Sequence, residues 1–218
     1  MPLVVAGTGT GVGKTLTSAL IMAKYARSLT LKYLKPVQTG DDSDRQTVAA
    51  LTGLSAEFFL PEYATFPLAA SPHYAAEQAG QSIDTETLLK HCCDQQPATL
   101  IELAGGLMVP LTRDFTNLDL LRQAGFSVLL VCDTGLGTIN HSLLSLAALR
   151  SAGIFCAGVF FVGRENPLYA DNARTICEMG NAAHIGTLFL TGEKLTTKIL
   201  NHHAADFDRE GRIAEAFA

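Results

Sequence analysis

Gly7-Thr8-Gly9-Thr10-Gly11-Val12-Gly13-Lys14-Thr15 follows directly on the apolar run Leu3–Ala6 and leads into a helical pattern over Thr15–Ser28. A strand, a glycine-rich turn closing on Lys-Thr, and a helix together read as a Walker-type phosphate loop. In such a loop the backbone N–H groups turn inward and add to the positive end of the following helix, forming a cradle for anions. Lys14 then reaches the terminal phosphates, and the Thr15 hydroxyl serves as a magnesium ligand. The loop is one residue longer than usual: its leading glycine is Gly7, and Thr8 stands where that glycine is expected. No window fits the G-x-G-x-x-G turn of dinucleotide-binding proteins.

The pattern set by this loop repeats outward. Leu31–Leu34, Thr99–Leu103, Val128–Cys132 and Cys156–Val162 are short apolar runs of the kind buried on both faces of a parallel sheet. Between them Glu86–Gln95, Leu118–Gln123, Asn140–Ser151 and Asn172–Met179 have helical spacing, and a further strand near Ile185–Leu188 and a helix after Asp206 complete the series. Alternation from end to end predicts a doubly wound α/β fold, a mostly parallel sheet with helices on both faces, as one domain over residues 1–218. Ligands of such sheets sit at the carboxyl ends of the strands.

Bulk composition excludes several classes. The chain has 218 residues, 48% hydrophobic and 17% charged, with a net charge of -5. That balance supplies no basic field for nucleic acid. Polar residues interrupt each apolar stretch before it could span a membrane, and the N-terminus lacks the basic region of a signal peptide. Five cysteines (Cys92, Cys93, Cys132, Cys156, Cys177) without metal-type spacing read as reduced thiols. A cytoplasmic protein is expected.

Four further segments fall at or beside the ligand edge. Lys35-Pro36-Val37-Gln38-Thr39-Gly40 ends the second strand, where Pro36 stops the strand and Gly40 allows a sharp turn. Lys35 is read as a second phosphate-facing cation. Asp41-Asp42-Ser43-Asp44 could cap a helix or supply carboxylates to magnesium, and read alone the stretch favours the cap. Glu102, placed at the tip of an apolar strand before Ala104-Gly105-Gly106, is costly unless paired with a cation. As the acidic residue ending a strand beside a phosphate loop, it is expected to bind the metal that Thr15 implies. Lastly, Gly135-Leu136-Gly137-Thr138-Ile139-Asn140-His141 precedes a helix. Thr138 or Asn140 could cap that helix, or its N–H groups could hold a carboxylate.

In this order the segments resemble dethiobiotin synthetase over nearly the whole chain: the long phosphate loop, K-P-V-Q-T-G, Ser43-Asp44, E-x-A-G-G, G-x-[IL]-N-H, and Ser71-Pro72-His73 as an S-P-H segment. The resemblance implies a homodimer using ATP, Mg2+ and CO2 on 7,8-diaminononanoate (diaminopelargonate) to form a cyclic urea. It implies nucleotide contacts from Thr10, Gly11, Val12, Gly13, Lys14, Thr15 and Leu16, from Asp44, and from Val162 and Gly163 beside the base. Thr15, Asp44 and Glu102 would surround magnesium. Lys14 and Lys35 would be catalytic, Thr39 and Gly105 would contact substrate, and Asn140 would hold its carboxylate tail across the dimer interface.

The chain departs from the family in three places. Leu103 replaces the glycine of E-G-A-G-G, Gly11 stands where many members carry an acidic residue, and Val162-Gly163 replaces an adenine-reading Asn-Asp pair. The last predicts relaxed nucleotide choice, with CTP or GTP accepted alongside ATP. The nearest rival reading is a ParA/MinD-like positioning ATPase, which carries a lysine where this loop has Gly9. A cobyrinate-type amidoligase would need a glutaminase domain for which this chain is too short.

Overall fold

The apolar runs are strands and all of them pair in parallel. The computed structural model describes residues 1–95 and 98–217. Along it the strands are β1 (Leu3–Gly7), β2 (Lys32–Leu34), β3 (Val37–Thr39), β4 (Ala64–Phe66), β5 (Thr99–Gly106), β6 (Ser127–Asp133), β7 (Cys156–Gly163) and β8 (His184–Phe189). Six of them form a sheet in the order β2-β5-β1-β6-β7-β8, while β3 and β4 pair separately. The helices are α1 (Lys14–Tyr25), α2 (Asp44–Thr52), α3 (Pro72–Gln78), α4 (Thr85–Cys93), α5 (Asn117–Ala124), α6 (Thr138–Ser151), α7 (Tyr169–Gly180), α8 (Thr197–Asp206) and α9 (Arg212–Glu215).

Period-two alternation sorts the strand side chains into two layers. In β1, Leu3 and Val5 join a core with Leu20, Ile21 and Phe207 under α1 and α8, while Val4 and Ala6 join Leu88 and Leu121 under α4 and α5. Because both faces are covered, all five β1 residues are buried, which is why the run carries no polar position. β1 lies between β5 and β6, so the chain reverses direction across the sheet at the strand that feeds the phosphate loop. The carboxyl end of β1 is therefore a topological switch point, where open α/β sheets bind ligands.

Some expectations need correction. Glu102 is not at a strand tip: β5 runs on to Gly106, and Glu102 is its fourth residue. Gly106 permits this extension, since a Cβ there would lie 3.3 Å from the Gly7 carbonyl oxygen. The helix expected after Asp206 is only the single turn α9, and α8, ending at Asp206, makes the larger contact with α1. α8 buries just Leu200 and Ala204 and α2 only Val48, too few apolar positions to mark a period. Neither Thr138 nor Asn140 caps α6, which starts from Gly137 at φ 92° without a side-chain cap.

Candidate active site

The phosphate loop is shaped by two left-handed glycines, Gly11 at φ 76° and Gly13 at φ 97°. Gly13 is also closed to substitution by packing, because a Cβ would come within 2.5 Å of Val162 Cγ1. No side chain caps α1, which leaves its first N–H groups for an anion. Lys14 is 7% exposed, and its ammonium donates to the Gly9 carbonyl oxygen at 3.0 Å. Burial, followed by repulsion from Lys35, lowers its pKa to about 8.

Beyond the loop, four side chains from two segments distant in sequence, α1 and the end of β2, converge on Glu102, which is completely buried. Its Oε2 accepts from the Ser18 hydroxyl at 2.7 Å and from the Tyr33 hydroxyl at 3.0 Å. Its Oε1 lies 2.9 Å from the Thr15 hydroxyl and 3.3 Å from Lys35 Nζ. Lys35 also reaches Asp44 Oδ2 at 2.6 Å and the Leu103 carbonyl at 3.2 Å. Burial alone would depress the Lys35 pKa, but the carboxylates of Glu102 and Asp44 outweigh it and hold the pKa above the ordinary lysine value.

The arrangement suits a hard divalent cation. Thr15 Oγ1 lies 2.9 Å from both Asp44 Oδ1 and Glu102 Oε1, yet one hydroxyl proton can satisfy only one of them. Three oxygens thus converge with a deficit of positive charge. An all-oxygen set of a hydroxyl and two carboxylates is the donor chemistry that magnesium takes, completed by water and phosphate oxygens.

A cavity of about 660 Å³ opens over this cluster. Thr10, Gly11, Gly13, Lys14, Thr15 and Leu16 line one wall, and Lys35, Thr39 and Asp44 line another. Glu102 and Gly105 close the floor between them. Four expected residues lie elsewhere. Val12 packs into the core under the loop. Val162 is buried beneath Gly13, and a Cβ on Gly163 would strike Thr134 Oγ1 at 2.2 Å. Neither presents a side chain to a base, because the loop packs too closely on the end of β7. Asn140 lines a separate apolar hollow with Leu136 and Leu144, which are 93% and 63% exposed.

The AAA domain family matches residues 2–189. An ATP-dependent dethiobiotin synthetase of Leptospira interrogans is 45% identical over 195 residues, covering 89% of this chain and 88% of the relative. One from Rhodopseudomonas palustris is 42% identical over 217 residues, covering 96% and 98%. The chain belongs to the dethiobiotin synthetase family.

Among solved structures, a Cyanothece McdA–ATP complex matches with a TM-score of 0.56 at 14% identity, covering 99% of this chain and 95% of that one. The Pyrococcus furiosus cell-division ATPase MinD matches at 0.55 and 15% identity, with 98% of each chain covered. At such identities the likeness concerns the fold alone. The ParA/MinD rival therefore shares only the fold with this dethiobiotin synthetase family member, and the sequence relationship lies with the synthetases.

Sequence reading assigned no role to Ser18, Tyr33, Gln38 or Asn117. Ser18 follows Thr15 by three residues, so helical spacing brings it to the same face as Thr15, a usable signal. Asn117 is buried and donates to the Ala104 and Gly106 carbonyls at 2.8 and 2.9 Å, bracing the turn at Gly105, which has φ 70°. Nothing local to Asn117 announces that contact.

Proposed function

We propose that this chain catalyses the ATP- and magnesium-dependent closure of 7,8-diaminononanoate with CO2 to dethiobiotin, as a cytoplasmic homodimer with a single catalytic domain over residues 1–218. The observation that carries the reading is the convergence of two lysines with the Thr15, Asp44 and Glu102 oxygens on one cavity.

In this reading one substrate amine adds to CO2 to give a carbamate, with loss of a proton. A carbamate oxygen attacks the γ-phosphorus and displaces ADP. The neighbouring amine then attacks the carbonyl carbon of the carbamic–phosphoric anhydride, expels phosphate and closes the urea ring. Every charge that builds up is anionic, so the chain's task is positioning and cationic stabilisation. Residues Thr10 to Leu16 cradle the phosphates, and Lys14 exchanges its Gly9 carbonyl for phosphate oxygens. Lys35 neutralises the carbamate and the transferring phosphoryl group. Thr39 and the Gly105 backbone orient the diamine. Thr15, Asp44 and Glu102 would hold magnesium, which when bound would screen the phosphate charge. Asn140 belongs to a different surface, so it serves the substrate tail only if a second copy brings it to the cavity. The exposed Leu136 and Leu144 beside it support such a face.

Purified protein incubated with diaminopelargonate, bicarbonate, magnesium and ATP is expected to yield dethiobiotin by mass, with phosphate release dependent on the diamine. Phosphate release that ignores the diamine would instead favour the switch-ATPase reading. The buried Val162 and the side-chain-free Gly163 offer no polar side chain to a base, which supports relaxed nucleotide choice. Turnover with ATP, CTP, GTP and UTP is expected to agree within about threefold, since no bidentate base contact worth about 1–3 kcal/mol is available from this pair. Strict dependence on ATP would refute the relaxed choice.

A further inference from the structure

We propose that Gln38 is a positioning residue that aims Asp44 into the metal-binding oxygen set. The proposal rests on the reading of Asp44 as a metal ligand. Gln38 borders the cavity and is 5% exposed, yet its amide is spent on the chain itself. Its Nε2 donates to the carbonyls of Thr39 and Asp42, both at 2.9 Å, and its Oε1 accepts from the Asp44 backbone N–H at 3.2 Å. A primary amide has two N–H donors, so none is left for a substrate.

The three oxygen donors are supported unequally. Thr15 stands in the first turn of α1, and Glu102 in the middle of β5, inside the sheet. Asp44 is the first residue of α2 and follows the turn 40–43, where Gly40 has φ 85° and Asp41 and Asp42 are exposed. Two side chains tie this turn down. Ser43 caps α2 through the Gln46 N–H, which fixes the helix start. Gln38 clasps the turn from the other side and fixes where that start lies relative to Thr15 and Lys35. Both Asp44 oxygens are committed toward the site, Oδ1 to Thr15 at 2.9 Å and Oδ2 to Lys35 at 2.6 Å. Magnesium tolerates little deviation from its octahedral geometry, so a shift of the turn would reach the metal directly.

Outer partners of metal ligands change metal affinity by about 10–100-fold. The test is a double-mutant cycle read by Mn2+ binding in electron paramagnetic resonance, with a non-hydrolysable ATP analogue bound. Gln38→Met, which keeps the volume and loses every polar atom, is expected to weaken Mn2+ by about 10–100-fold. In an Asp44→Asn background it is expected to change nothing further, because its effect passes through Asp44. Nucleotide affinity measured in EDTA should stay unchanged, a separation that general loss of structure would not produce. Additive effects in the cycle overturn the proposal, as does unaltered Mn2+ affinity in Gln38→Met while Asp44→Asn weakens it. If Asp44→Asn itself leaves Mn2+ binding unchanged, the metal reading of Asp44 fails and takes the proposal with it. Should Gln38→Met fold poorly, Gln38→Asn, one methylene too short to span all three partners, enters the same cycle.

Discussion

Replacement of Lys35 by alanine is expected to cut dethiobiotin formation by about a thousandfold or more while changing nucleotide affinity only a few-fold. One preorganised donor aimed at developing negative charge contributes about 10²–10³ in rate, and Lys35 carries a full charge in a cavity wall where it is 3% exposed. The same substitution leaves Glu102, fully buried, and its neighbour Asp44 without their shared ammonium. Removing one partner of a buried ion pair costs about 3–5 kcal/mol, so without metal the variant should melt on the order of 10 °C lower. Added magnesium should restore part of that loss and bind more tightly than in the parent, since the metal no longer competes with Lys35 for the carboxylates. Mass detection of product, calorimetric nucleotide titration and melting curves with and without magnesium read the three effects separately. Retained turnover would remove Lys35 from the chemistry.

Lys14→Met should move activity and stability in opposite directions. Activity is expected to fall at least a hundredfold, because the charge that grips the terminal phosphates is gone. Stability of the protein assayed without nucleotide should rise at pH 7. The folded pKa of Lys14 is lowered to about 8 from 10.5, mainly by burial. The unfolded chain therefore holds that proton more tightly than the folded one. The stability present above pH 10.5 is lost as pH falls toward 8, and below 8 the full penalty applies. It amounts to at most about 3 kcal/mol. The methionine variant escapes this penalty, so its advantage should be full below pH 8 and vanish above 10.5. Chemical denaturation at pH 7 and pH 10.5 measures it. An equal stability difference at both pH values would show that burial of the charge is not the cause. Nucleotide binding by the parent protein should also weaken above pH 8, where Lys14 loses its proton.

Much of the site could be read before any fold was known because its chemistry is locally encoded. The phosphate loop occupies nine contiguous residues, and its glycines, lysine and threonine have meaning at fixed spacing. The parallel sheet was legible for a similar reason, since strands buried on both faces admit only apolar runs. Short polar elements escaped: α2 buries one residue, and β3 and β4 are three residues long.

Which charges meet was a different matter. Thr15 and Glu102 are 87 residues apart, Lys35 and Glu102 67, and Thr15 and Asp44 29. Their meeting depends on β5 inserting between β2 and β1, a strand order that no local periodicity encodes. The sequence by itself therefore determined that a triphosphate-binding loop opens a parallel α/β sheet, and it singled out Lys14, Lys35 and Glu102, while Asp44 entered only through the family resemblance. Only the tertiary structure decided that Glu102 lies in the middle of its strand and not at the tip, that Lys35 bridges two carboxylates, that Val162 is packed beneath the loop, and that Asn140 faces another surface. Short-range patterns record what each residue needs nearby, whereas long-range packing chooses which partner supplies it.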